Sequence, residues 1–129
     1  MVRVTALHRH DGGVLELVLS NGTAHFVAQR VTAVALILLG LWFAASIGGL
    51  DSLEHAIVMA FIAKPLNGVL LGLLCVVLAY HSHLGVQVVI DDYVHAAGLN
   101  KASLIISRIA HLAVGSAAVY AIQGIGSGA

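Results

Sequence analysis

The sequence predicts an all-α membrane protein with three transmembrane helices. Hydrophobic residues make up 60% of the 129 residues and charged residues only 9%, which leaves too little polar surface for a soluble domain of this size. A helix needs about 20 residues to cross the roughly 30 Å hydrocarbon core of a bilayer. Three stretches without Asp, Glu, Lys or Arg reach that length, namely residues 31–50, 65–90 and 109–129.

Each span is expected to form one helix. The first follows a polar tail of residues 1–24, and residues 25–129 make up a single membrane domain. The second expected helix, at about residues 57–88, contains Lys64 and Pro65, so it either begins at Pro65 or kinks there after an amphipathic turn, because proline disrupts a helix interior. The expected helices cover residues of about 28–49, 57–88 and 102–125.

The basic residues predict how the spans are oriented. Only Lys64 lies in the first connection, whereas the other five flank the N-terminus or the second connection: Arg3, Arg9, Arg30, Lys101 and Arg108. By the positive-inside rule, the N-terminus faces the cytoplasm or matrix and the C-terminus lies outside.

A formal net charge of zero provides no basic face for nucleic acid. The single cysteine, Cys75, excludes a disulfide framework or Cys-based metal site within this chain.

Ionisable groups inside the spans indicate candidate functional positions, and His81 is the most informative. Gly85 follows His81 by four residues, so both lie on one helix face. A neutral imidazole can coordinate haem iron, and a glycine beside it would admit the flat macrocycle. Alternatively, His81 hydrogen-bonds a neighbouring helix. His83 points about 200° around the helix from His81 and cannot share its site.

Polar residues at the expected cytoplasmic ends of the first two spans are further candidates. Tyr93 could donate a hydrogen bond to a quinone carbonyl, and Asp92 could relay protons to it. Alternatively, Tyr93 is an interfacial anchor, and Asp91 and Asp92 form a solvated turn. Arg30 could clamp a haem propionate or extend to lipid phosphates.

Two motifs resemble those of the small cytochrome b anchor subunits of succinate dehydrogenases. The first is Arg-x-Thr-Ala at residues 30–33, and the second is His-x-x-x-Gly followed by Asp-Tyr-Val, within residues 81–94. The resemblance covers about residues 22–125. It implies that His81 is an axial ligand of haem b and that Arg30 approaches a haem propionate. It also implies that Tyr93 and Asp92 line a ubiquinone site.

The same resemblance implies a non-catalytic anchor subunit of succinate:quinone oxidoreductase (respiratory complex II). Its expected partners are the flavoprotein subunit, the iron–sulfur subunit, membrane lipid and a large cytochrome b subunit that supplies the other haem ligand. The expected location is a bacterial or mitochondrial inner membrane. Two alternatives stay open, namely the anchor of a fumarate reductase and a cofactor-free three-span assembly protein. The second predicts that His81→Ala and Tyr93→Phe leave haem absorption and activity unchanged.

Overall fold

The structure is a computed structural model that describes the backbone of residues 3–128 and the side chains of residues 22–128. This part of the chain contains four helices and no β-strand. The helices are α1 (Arg3–Gly48), α2 (His55–Ala63), α3 (Pro65–Tyr93) and α4 (Ala97–Ser127). Three of their segments are long and apolar enough to cross a membrane: Gly22–Gly48, Pro65–Tyr93 and Ala97–Ser127. The predicted all-α, three-span fold class is therefore confirmed.

The helix boundaries differ most from the expected ones in two places. Helix α1 begins at Arg3 rather than near residue 28, although its membrane-length apolar segment begins at Gly22. The helix expected at 57–88 is instead two helices, α2 and α3, that meet at Lys64. Of the two alternatives for that region, the structure therefore has a new helix beginning at Pro65.

Proline chemistry explains the break between α2 and α3. Lys64 has extended backbone angles, φ −66° and ψ 125°, as expected for a residue before proline. Pro65 occupies the first turn of α3, where its missing N–H costs no helical hydrogen bond. The Asn67 side-chain amide donates to the Phe61 carbonyl over 2.9 Å, which provides a partner for a carbonyl near the end of α2.

Helix α3 is the centre of the bundle. Helix α1 packs on one side of α3 and α4 on another, and α2 lies against α3 and α4. Gly115 of α4 is buried, and a Cβ added to it would lie 3.2 Å from the Ala79 Cβ of α3. This glycine lets the α3 and α4 backbones approach closely.

Apolar side chains remain largely uncovered within the described part of the chain. Only three hydrophobic residues there are buried: Phe61, Leu71 and Leu84. The Phe61 ring stacks on Trp42 of α1 with ring centroids 6.3 Å apart. In the most apolar window of α1, no residue is buried. Such surfaces suit contact with lipid or with other transmembrane helices.

Candidate functional site

His81 lies at the interface between α1 and α3 and is held there by Thr32. The Thr32 Oγ1 atom is 2.8 Å from His81 Nδ1. The same oxygen lies 2.8 Å from the Ala28 carbonyl oxygen and 3.1 Å from that of Gln29. The sequence-based alternative of a hydrogen bond from His81 to a neighbouring helix is therefore present in the structure.

This hydrogen bond defines which nitrogen of His81 carries the hydrogen. A threonine hydroxyl has one hydrogen and two lone pairs, and the Thr32 hydrogen is directed to a helix carbonyl. The hydroxyl oxygen therefore accepts from His81, which makes Nδ1 the protonated nitrogen. In the neutral ring Nε2 then carries the lone pair, and no side chain in the described part of the protein hydrogen-bonds to it. The ring has the tautomer required of a metal ligand through Nε2.

Thr32 belongs to a stripe of polar residues on the face of α1 that packs against α3. His25, Gln29 and Thr32 follow helical spacing, and a Cβ added to Gly85 of α3 would lie 3.9 Å from Gln29 Nε2. The space beside Gly85 is therefore covered by a flexible amide. Both Gln29 Oε1 and His25 Nε2 are buried without a hydrogen-bond partner. Buried polar atoms are usually paired, so this stripe has capacity for a further polar group.

The pairings across α1 and α3 also show that the two helices are antiparallel, because Thr32 faces His81 and Gln29 faces Gly85.

Arg30 belongs to the same turn of α1 as Gln29 and Thr32 but is exposed. Its guanidinium carbon lies 4.8 Å from the centroid of the Phe26 ring, a cation–π contact. The proposed contact of Arg30 with a haem propionate stays a prediction.

Asp92 and Tyr93 lie at the C-terminal end of α3. Both are exposed, Tyr93 by 78%. Because α3 is continuous from His81 to Tyr93, these two residues are separated by about 18 Å along the helix axis. Asp92 lies only about 20° around the helix from His81, whereas Tyr93 lies about 120° away. Asp91 accepts a hydrogen bond from Asn100 of α4 over 3.2 Å.

A second polar cluster lies at the opposite interface, between α3 and α4, and comprises Ser82, His83, Ser107 and His111. His83 Nδ1 and His111 Nδ1 are each 3.4 Å from Ser107 Oγ. His111 Nδ1 also donates to the Ser107 carbonyl over 2.7 Å, and Ser82 Oγ is 3.1 Å from His111 Nε2. His81 and His83 therefore face different helices, as their angle of about 200° around α3 predicts.

A groove with a volume of about 850 Å³ runs along the α3/α4 interface beside this cluster. Its polar end contains His83, Gln87, Arg108 and His111. The remainder is mainly apolar and is lined by Val76, Ala79, Tyr80, Leu84, Leu112, Gly115, Ser116, Val119 and Tyr120. In the described part of the chain, no cluster of three or more His, Cys, Asp or Glu side chains could hold a metal ion.

Sequence reasoning did not assign roles to Thr32, Gln29 or Ser107. Thr32 had a signal, since it occupies the third position of the Arg-x-Thr-Ala motif. Gln29 and Ser107 had none, because their significance depends on which helix each faces.

Comparison with known proteins identifies the family. A family model described as the succinate dehydrogenase/fumarate reductase transmembrane subunit matches residues 8–122. A succinate dehydrogenase hydrophobic membrane anchor subunit from Paracoccus denitrificans is 35% identical over 109 residues, covering 84% of each chain. The subunit of the same name from Rickettsia prowazekii is 34% identical over 89 residues, covering 69% of this chain and 71% of that one. Together with the three apolar helices, these matches show that this integral membrane protein belongs to the family of succinate dehydrogenase and fumarate reductase transmembrane subunits.

Proposed function

We propose that this membrane anchor subunit provides His81 as an axial ligand of haem b in a succinate:quinone oxidoreductase. The observation that carries the proposal is the hydrogen bond of 2.8 Å between Thr32 Oγ1 and His81 Nδ1. It leaves Nε2 with a lone pair and without a partner in the described part of the chain. The donor set fits one axial position of a haem, and the other axial ligand comes from the large cytochrome b subunit.

The residues around His81 support the ligand in distinct ways. Thr32 accepts the Nδ1 hydrogen, which fixes the ring orientation and increases the electron density at Nε2. Gly85 presents no side chain one turn away, and among residues 22–128 only the Gln29 side chain comes within 4 Å of its Cβ position. Gln29 can rotate away from that position because its amide is at the end of a flexible side chain. A bound haem b supplies one-electron transfer near the quinone.

The Asp92–Tyr93 end of α3 contributes to the ubiquinone site in this proposal. Tyr93 donates its phenolic hydrogen to a quinone carbonyl, and Asp92 holds a proton for transfer to the reduced oxygen. Their exposure supports this role because the pocket requires surfaces from partner subunits. The flavoprotein and iron–sulfur subunits bind on this side, which is the cytoplasmic or matrix face by the distribution of basic residues.

Two other functions make different experimental predictions. The anchor of a fumarate reductase shares the family model, but the relatives compared above are named as succinate dehydrogenase subunits. A cofactor-free assembly protein would use His81 only for its hydrogen bond to Thr32. If His81 is a haem ligand, its Nε2 has a partner in the assembled complex. If His81 only hydrogen-bonds Thr32, its Nε2 has none.

The test is purification of the tagged chain from its native membrane in mild detergent, with identification of the copurifying subunits. Reduced-minus-oxidised visible spectra are then recorded for wild type, His81→Ala and His83→Ala. We expect a flavoprotein, an iron–sulfur protein and a second anchor to copurify with a b-type haem signal. His81→Ala should remove or shift that signal, whereas His83→Ala, two residues along the same helix, should preserve it. An unchanged haem signal in His81→Ala would reject the ligand assignment.

A further inference from the structure

We propose that the groove between α3 and α4 binds an anionic phospholipid, with the phosphate at its polar end and an acyl chain along its apolar part. This site lies on the opposite side of α3 from His81, since His83 and not His81 lines it. The proposal therefore goes beyond the haem and quinone functions and does not depend on them.

The charges around the polar end favour an anion. Arg108 lines this end with His83 and His111, and no carboxylate is among the lining residues. The acidic residues whose side chains are described, Asp51, Glu54, Asp91 and Asp92, all lie outside the groove. Within the described part of the chain, Arg108 forms neither a hydrogen bond nor an ion pair. A guanidinium free of other partners can bind phosphate oxygens through two parallel hydrogen bonds.

The hydrogen bonds of the α3/α4 cluster hold the two imidazoles at this end. Ser107, which is only 9% exposed, contacts both His83 Nδ1 and His111 Nδ1. The rings are consequently fixed beside Arg108, with their centroids 5.5 Å apart. The polar end is thus arranged before any ligand binds, which lowers the entropy cost of binding.

The length and depth of the groove match one lipid leaflet. From Val76 to Gln87, the lining of α3 rises about 16 Å, which is close to half of the roughly 30 Å hydrocarbon core. Gln87 lies four residues before Asp91, so the polar end is about 6 Å from the charged end of α3. A phosphate at the membrane interface can therefore reach Arg108 while its acyl chain follows the groove.

The shape and lining of the groove favour a flexible chain as the occupant. Its volume of about 850 Å³ extends over about 16 Å of helix rise, and the lining away from the polar end is mainly apolar. A flexible hydrocarbon chain fits this groove, and the bilayer supplies one at high local concentration.

The test measures lipid retention by the purified complex. The complex is delipidated in detergent, incubated with phosphatidylglycerol or phosphatidylcholine, and analysed by native mass spectrometry. We expect preferential retention of phosphatidylglycerol and a loss of about tenfold or more in its affinity in Arg108→Gln, because a charge-assisted contact is removed. Lys101→Gln is the matched control, since it removes a cation of α4 outside the groove and should leave retention unchanged.

A second variant tests the apolar part separately. Ser116 is exposed and lines the groove, so Ser116→Trp should fill it and reduce retention with Arg108 intact. Equal retention of the two lipids, or wild-type retention in Arg108→Gln, would overturn the proposal. A photoreactive amino acid at position 116 that cross-links to a partner subunit rather than to lipid would also overturn it. The haem spectrum of each variant reports separately on the haem proposal.

Discussion

Two histidines on α3, His81 and His83, are separated by one residue and lie in different environments. His81 contacts one hydroxyl, that of Thr32 on α1, and its Nε2 has no hydrogen-bond partner in the described part of the chain. His83 faces α4, where it joins Ser107 and His111 in the α3/α4 cluster. Two neighbouring residues of the same type therefore serve two interfaces.

The difference shows that the partners of an intramembrane histidine, rather than its presence, indicate its role. A ring with one nitrogen held and the other unpaired is prepared to bind an additional group. A ring within a network of serine and histidine side chains instead joins two helices. On this basis we expect α1/α3 to be the ligand-binding interface, whereas α3/α4 connects two helices and carries the groove.

The largest expected effect is on the α3/α4 interface itself, through Gly115→Leu. Even a Cβ at Gly115 would lie 3.2 Å from the Ala79 Cβ, so a leucine must force the helices apart, at a cost of about 1–3 kcal/mol or more. We expect a lower yield of intact complex and a lower thermal midpoint. Gly124→Leu is the control on the same helix, because no other described part of the chain comes within 4 Å of a Cβ at that position. Equal effects of the two variants would contradict the packing role of Gly115.

A smaller effect is expected from Ser107→Val, which removes the hydroxyl shared by His83 and His111. Both contacts to Ser107 Oγ are long, at 3.4 Å, and His111 keeps its bond to the Ser107 carbonyl. The loss should therefore be about 1 kcal/mol, at the low end for an unsatisfied buried group. It should appear as a lower thermal midpoint with an unchanged haem spectrum. Ser116→Val removes an exposed hydroxyl and should change neither. A change in the haem spectrum of Ser107→Val would show that the two interfaces are not independent.

The sequence predicted much of this architecture because its signals are local. The length of the stretches without charged residues predicts the three spans, and Pro65 predicts a helix boundary. Residues two positions apart on a helix point about 200° away from each other, which separates His81 from His83. The partners of these histidines could not be predicted. They depend on which faces of α1 and α4 meet α3, and the long-range contacts that determine this leave no periodic pattern. The groove around Arg108 was missed for the same reason.

The α1/α3 interface can be tested by Thr32→Val, which keeps the shape of the side chain and removes the oxygen that accepts from His81 Nδ1. A ligand without that hydrogen bond is less basic and stabilises oxidised iron less. We expect the haem midpoint potential, measured by redox titration of the purified complex, to shift upward. Thr32→Ser retains the hydroxyl and should restore the wild-type potential. An identical shift in both variants would assign the effect to packing rather than to the hydrogen bond.

The smallest expected change in stability comes from Gly85→Ala, and for that reason it is the sharpest test of the ligand-binding interface. A Cβ at Gly85 would lie 3.9 Å from Gln29 Nε2, which is ordinary van der Waals contact, and alanine favours a helix over glycine by up to about 1 kcal/mol. The thermal midpoint should therefore stay the same or rise slightly. If a haem lies against this residue, the added methyl group will shift its spectrum or lower its occupancy even though the helix packing is unaffected. A wild-type spectrum in Gly85→Ala would mean that the glycine serves only the contact with Gln29, because a macrocycle close to Gly85 cannot accommodate the extra atom without moving.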